Sequence, residues 1–334
     1  MASGALAKRL LLVGGLGMVV LLVTGFIFGA IGSKMFGTQR FIEKPHIQLP
    51  PQPVSPVFWD FFATADGQES SGQAASGSKE EGARPLASGQ FAVTNTLLSA
   101  WLASLVMVLF FVLGARRKGV VPGRFQSLVE TLVEAVLNFS SSVLGPEMAR
   151  KAFPVVATIF FFVLFNAWLA LLPFYQFLGF IQEGGRFLGF IPEGQIKAHL
   201  LRSAGTDLNM PLALALVSFV FVEYWGLRAH GFSYLKKFFA LGNLFRGRPA
   251  GLIDAFVGFL EAISEVVRVF SFTFRLFGNM TAGEILVVMI TFLVPFVATQ
   301  FVFGLELLVG LIQAIIFGGL TLVFLSVAVR HQEH

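Results

Sequence analysis

No cysteine occurs anywhere in the chain. Disulfide staples, thiolate catalysis and Cys-ligated zinc are therefore excluded, while nothing follows about compartment. Charge is scarce too. Asp, Glu, Lys and Arg make up 13% of the residues against 55% hydrophobic ones, and the mean hydropathy is +0.78. That balance leaves no room for an ordinary soluble domain and suits a protein crossing a membrane several times. A Walker A loop, a His-Glu-x-x-His pair, a nucleophile elbow and a Rossmann fingerprint are all missing, so no catalytic centre, cofactor or metal site is expected. A net charge of +5 would suggest nucleic acid in a soluble protein. Here the basic residues collect beside apolar spans, so topology explains them and no nucleic-acid partner is expected.

What the chain does have is long apolar runs. Leu10 to Ile31 carries no charge and follows Lys8 and Arg9. It exceeds a usual signal-peptide core and has no clear small-x-small site before Lys34, which favours a retained membrane helix over residues 1–32 rather than a cleaved signal peptide. Residues 33–90 read as an external segment, proline-rich at first and then rich in Ser, Gly and acid, partly disordered and without chemistry of its own. Residues 91–334 form the main membrane domain. Its expected spans are Phe91 to Ala115, Ala152 to Ile181 and Leu208 to Leu227, followed by two long helices from about Gly251 with their turn at Pro295. Gly304, Gly310, Gly318 and Gly319 are expected to let the last helix pack closely. Apolar positions 125, 128, 129, 132, 133, 136 and 137 share one helical face that Glu130 and Glu134 avoid, which predicts an amphipathic helix along the interface, ended by Pro146. The fold class is thus an all-α membrane protein of about five to six membrane helices.

Loop charges orient it. Arg116 to Lys151 holds six Lys and Arg, and Arg228 to Ala250 holds five, whereas the five of Ser33 to Gln90 are balanced by six acids. The first two loops then face the cytoplasm, and the tail with His331 and His334 ends there as well.

Val269 to Val329 carries only three charges, Arg275, Glu284 and Glu306. Each such group at a helix centre costs ~2.5–3.5 kcal/mol even on lenient insertion scales, so each needs a partner, water or a task. On a helix, Glu261, Ser264, Arg268, Ser271, Arg275 and Asn279 form one polar stripe. Glu284 falls half a turn from Arg275 unless Gly283 breaks the helix, while Glu306 and Gln313 share a face of the next span. Two polar surfaces with a permanent cation at the end of one are what two water-accessible half-paths separated by a charge barrier require. Asp207, Asn209 and Glu223 are weaker candidates for the external path or its mouth, and Asn166 reads as a packing hydrogen bond.

The run Arg275-Leu-Phe-Gly-Asn-Met-Thr-Ala-Gly-Glu284 resembles the signature of the a subunit of F-type ATP synthases. The resemblance extends from about Phe91 to the C-terminus, through Val121-Pro-Gly-Arg-Phe-Gln126, Asp207-Leu-Asn209 and Gln313-Ala-Ile-Ile-Phe. It implies a non-catalytic stator whose two last helices are tilted against a rotating c-ring, in a cell inner membrane, with the subunit b stalk and the rest of the synthase as partners. In that family Arg275 would hold the ionised ring carboxylate. Glu284, Glu306, Gln313 and Asn279 would line the external proton path, and Glu261 and Ser264 the cytoplasmic one. Glu306 stands where some bacterial members have histidine and others glutamate. If Glu284 and Glu306 face each other, their titrations should be coupled. A secondary transporter or channel is the alternative, and it predicts an internal repeat that the chain does not display.

Overall fold

A computed structural model describes residues 2–37, 59–60, 90–91, 93–116, 123–172, 175, 179–181, 196–231, 234 and 250–329. Among them lie eight α-helices: α1 (Ala2–Phe28), α2 (Ala30–Phe36), α3 (Asn95–Ala115), α4 (Arg124–Leu144), α5 (Pro146–Ala170), α6 (Asn209–His230), α7 (Ala250–Leu293) and α8 (Val297–Val329). Two short antiparallel ribbons accompany them, β1 (Trp59–Asp60) with β2 (Gln90–Phe91) and β3 (Gly179–Ile181) with β4 (Ile196–His199). The architecture is all-α as expected. Six helices, α3 to α8, are long and apolar enough to cross a membrane, and the α1–α2 pair adds a seventh if it counts as one span. Most of the segment 33–90, the loop cations Arg117, Lys118, Lys236, Lys237, Arg246 and Arg248, and His331 and His334 lie outside the described residues.

The chain divides into two compact units. The first comprises Met1–Asn95, Leu171–Arg202 and Asn279–Val309. Its N-terminal helix departs from the expected unbroken span, because α1 and α2 bend by 66° around Gly29, whose ψ of 174° is extended. The physical reason is close backbone approach: a Cβ on Gly25 would overlap the Pro295 carbonyl oxygen, and one on Gly29 the Leu293 carbonyl oxygen. Such small-residue spacing is how membrane helices bring backbones together. The Gly29 N–H still reaches the Gly25 carbonyl at 2.8 Å.

The turn between α7 and α8 falls at Pro295, as expected. Phe296 takes φ 71°, the single non-glycine residue with positive φ among those described. Thr299 Oγ1 donates to Thr291 Oγ1 across this turn at 3.2 Å. The predicted span to Ile181 ends earlier, at Ala170, and residues 179–181 pair sideways with β4 instead. Pro173 disfavours helix in the residue before it, and a short apolar run does not by itself distinguish strand from helix.

The second unit comprises Thr96–Ala170, Ser203–Gly278 and Gly310–His334. Its α4 is one-sided, burying Val129, Val136 and Ser140 while Glu130 and Glu134 stay exposed. Gly145, at φ 77°, ends it, and Pro146 opens α5 at the first-turn position that tolerates a missing N–H. The span predicted from Ala152 therefore starts six residues sooner, with Glu147 in its first turn suiting the helix dipole. Ala152, Val156, Val222, Leu322, Leu325 and Ala328 form the core where α5, α6 and α8 meet. Phe110 packs edge-on against Phe125 and Phe165 at 5.2 and 5.4 Å, joining α3 to α4 and α5. Inside this apolar packing Ser218 and Thr321 share a buried hydrogen bond of 2.7 Å.

Helices α7 and α8 hold 44 and 33 residues. At 1.5 Å per residue they reach ~66 and ~50 Å, well beyond a ~30 Å hydrocarbon core, so each must tilt or emerge from it.

Of the four glycines predicted to serve packing, Gly310 does so most tightly, since an added Cβ would stand 2.7 Å from that of Ala167. Gly318 and Gly319 face Phe160 and Phe139 at 3.5 and 3.3 Å, whereas Gly304 meets nothing within 4 Å and has no packing role within its unit. Gly310→Ala should therefore destabilise the protein by about 1–3 kcal/mol through overpacking, while Gly304→Ala gains slightly from helix propensity. Thermal unfolding of the purified protein and its level in membranes check this ordering.

Candidate functional site

In the second unit, α7 buries Phe272, Thr273 and Leu276 and leaves Arg275 half-buried. Thr273 satisfies its hydroxyl on the Val269 carbonyl at 2.9 Å, so the helix stays regular there. The Arg275 guanidinium lies 6.0 Å from the Phe272 ring centroid, and among the described residues no carboxylate pairs with it. Arg268, two turns earlier, is different. Its guanidinium meets the buried Glu265 carboxylate at 2.6 Å and covers the Phe324 ring at 3.9 Å. Sequence reasoning placed the cytoplasmic path at Glu261 and Ser264; Glu261 is half-buried and Ser264 exposed, and the buried acid of this helix is Glu265. Gln313 on α8 is buried.

The weaker candidates hold local structure. Asp207 accepts the Thr96 hydroxyl at 3.0 Å with Oδ2 and the Asn209 N–H at 3.1 Å with Oδ1, an Asx turn that starts α6. Tyr234 packs on Gly226 and donates to Glu223 at 3.4 Å. Asn166 donates to its own helix, at the Phe162 carbonyl, 2.9 Å away.

In the first unit, α7 continues unbroken through Gly283, and Glu284 and Glu306 lie half-buried on neighbouring helices with Asn279 also half-buried. The Glu306 carboxylate occupies the space beside Gly283: a Cβ there would overlap Oε2 and approach Cδ to 2.6 Å. Glycine at 283 is thus a notch for that carboxylate, one residue from Glu284. Glu284 has a partner that sequence reasoning missed. Arg202, just after β4, directs its Nε–H at both carboxylate oxygens, 3.1 and 3.3 Å away. Nothing in spacing links a loop cation to a helix acid 82 residues on; only its place beside two apolar spans marked it.

The sequence profile of the family described as ATP synthase A chain matches residues 97–326. The chain belongs to that family. Relatives named ATP synthase subunit a include one from Gloeobacter violaceus, 32% identical over 241 residues, covering 72% of this chain and 86% of the relative. One from a Sulfurihydrogenibium species is 30% identical over 238 residues, 71% of this chain and 98% of the relative. Another, from Helicobacter acinonychis, is 29% identical over 246 residues, 73% of this chain and 94% of its own length. Family membership and six apolar helices of spanning length make this a multi-pass membrane protein. The profile encloses Arg275, Glu284, Glu306, Gln313 and Arg202, and leaves α1 and α2 before its start.

Asp207 separates cap from path. Asp207→Ala should lose about 1–3 kcal/mol of stability with its two hydrogen bonds, while Asp207→Asn, which keeps an acceptor for the Asn209 N–H, should retain most of it. Thermal unfolding beside proton pumping checks this: pumping lost in a stable Asn variant would give the charge itself a transport role.

Proposed function

We propose that the chain is the proton-translocating stator of an F-type ATP synthase, working against a ring of c subunits and anchored through the subunit b stalk. The observation that carries this reading is Arg275, a permanent cation in a span-length apolar helix with no carboxylate partner among the described residues. A guanidinium in such surroundings is stable when an acid meets it from outside the chain, and a ring carboxylate passing by is such an acid. Family membership supports the same assignment.

In this mechanism protons enter by an external half-path at Glu284, Glu306, Gln313 and Asn279 and neutralise a ring carboxylate. The neutral carboxyl travels through lipid for most of a turn, then releases its proton past Glu261 and Ser264 towards the cytoplasm. Glu265 and Arg268 extend the charged face of that second path. A unit charge moving through 100 mV yields ~2.3 kcal/mol, which the ring converts to torque. No covalent chemistry falls to this subunit. With α4 along the cytoplasmic interface of a cell inner membrane, the excess of Lys and Arg in the loops supports a C-terminus on the inner side.

Guanidinium cannot relay a proton, so Arg275 attracts the ring carboxylate and blocks direct transfer between the paths. Lysine, a compact ammonium able to lose its proton when desolvated, lacks both the permanence and the planar fork. Arg275→Lys is expected to abolish proton-driven ATP synthesis, and Arg275→Ala to abolish it while letting protons leak through a membrane sector stripped of its head. Synthesis and vesicle acidification read both; wild-type synthesis in the Ala variant would remove Arg275 from the mechanism.

The two external acids give a second test. Glu306→Gln and Glu284→Gln should each slow synthesis and ATP-driven pumping while ATP hydrolysis by the detached head is unchanged. Unaltered pumping in the double variant would take both off the path.

A further inference from the structure

We propose that Arg202 is a positioning residue for the external half-path, a second fixed cation that holds the Glu284 carboxylate in its place beside the Glu306 notch. The proposal rests on the half-path reading of Glu284. Its basis is geometric. The Arg202 side chain is 9% exposed and that of Glu284 is 37% exposed, so the guanidinium is the anchored partner and the carboxylate the accessible one. One Nε–H spans both oxygens at 3.1 and 3.3 Å, and any proton arriving at either oxygen competes with that donor. The backbone before Arg202 is held by the β3–β4 ribbon, where His199 pairs with Gly179 three residues upstream. The Glu306 carboxylate lies in the notch at Gly283, the residue preceding Glu284, so the two acids belong to neighbouring positions on α7. Glu284 then serves as a held charge shaping the path, and Glu306, lying in the notch, is the carboxyl left to load and unload protons.

The test uses the intact synthase in vesicles and compares Arg202→Gln, Arg202→Lys, Glu284→Gln and the Arg202→Gln/Glu284→Gln double variant, with ATP-driven acidification scaled to subunit level. Arg202→Gln should lower pumping about tenfold, with Lys restoring much of it. The double variant should pump no worse than Glu284→Gln alone. Losses that multiply in the double variant, or no recovery with Lys, overturn the proposal, as does an unaltered Arg202→Gln. If Arg202→Gln fails to assemble, assembly becomes the readout: it should return in the Lys and double variants, and its failure to return in both is equally adverse. Glu284→Gln pumping at the wild-type rate would instead sink the half-path role of Glu284, a separate result visible without any Arg202 variant.

Discussion

A charge carried into hydrocarbon has to be met by another charge, by water or by a group from outside the chain, and the charges of the long helices are sorted by this requirement. Glu265 and Arg268 meet each other within one turn of α7, with the Phe324 ring closing the far side of the guanidinium. Glu284 is met by Arg202 from a loop. Arg275 has only the edge of an aromatic contact at 6.0 Å among the described residues. The first two arrangements are closed, and removing one partner of such a pair is costly because it orphans the other. The third is open. An open cation is a poor structural device and a good receptor for a carboxylate that arrives and leaves, so the lack of a partner for Arg275 among the described residues is the feature on which the proposed stator role rests.

Helical packing in lipid gains little from hydrophobicity, so close approach and hydrogen bonds must supply specificity. Gly310 on Ala167, Gly114 on Val129 and the Ser218–Thr321 pair do this in the second unit. Polar pairs of this kind are worth ~0.6 kcal/mol on average in membranes, which is enough to select a register and too little to hold a charge. Packing in the second unit and the charged side chains of α7 and α8 therefore rest on different residues, and changes to Gly114 and Gly310 should be separable from changes to the acids.

Much of this was readable from residues alone, for identifiable reasons. Long uncharged runs specify spans, and Pro295 specifies a turn because proline lacks the N–H that a continued helix needs. The decamer from Arg275 to Glu284 carried the family. Boundaries were less legible. Apolar residues beyond Ala170 read as helix until β4 claimed 179–181 as a strand. The break at Gly29 depends on the Leu293 carbonyl, far away in sequence and invisible in a local pattern. Arg202 was hidden for the same reason: its partner lies 82 residues on, and a loop cation beside a membrane ordinarily reports topology. Long-range pairing has no period, so periodicity could not find it.

The N-terminal addition is explicable in these terms too. Leu293 ends α7, so its carbonyl is among the last four that a helix leaves without an intrahelical donor. In lipid such a group is costly unless it is satisfied. Gly29 lies directly against that oxygen and Gly25 against the next exposed carbonyl at Pro295, which only residues lacking Cβ allow. The α1–α2 bend thus packs against the backbone of the turn from which α7 and α8 run to Glu284 and Glu306. The family profile begins at residue 97, so this contact joins helices that precede the matched region to the turn between α7 and α8, on either side of which Glu284 and Glu306 lie.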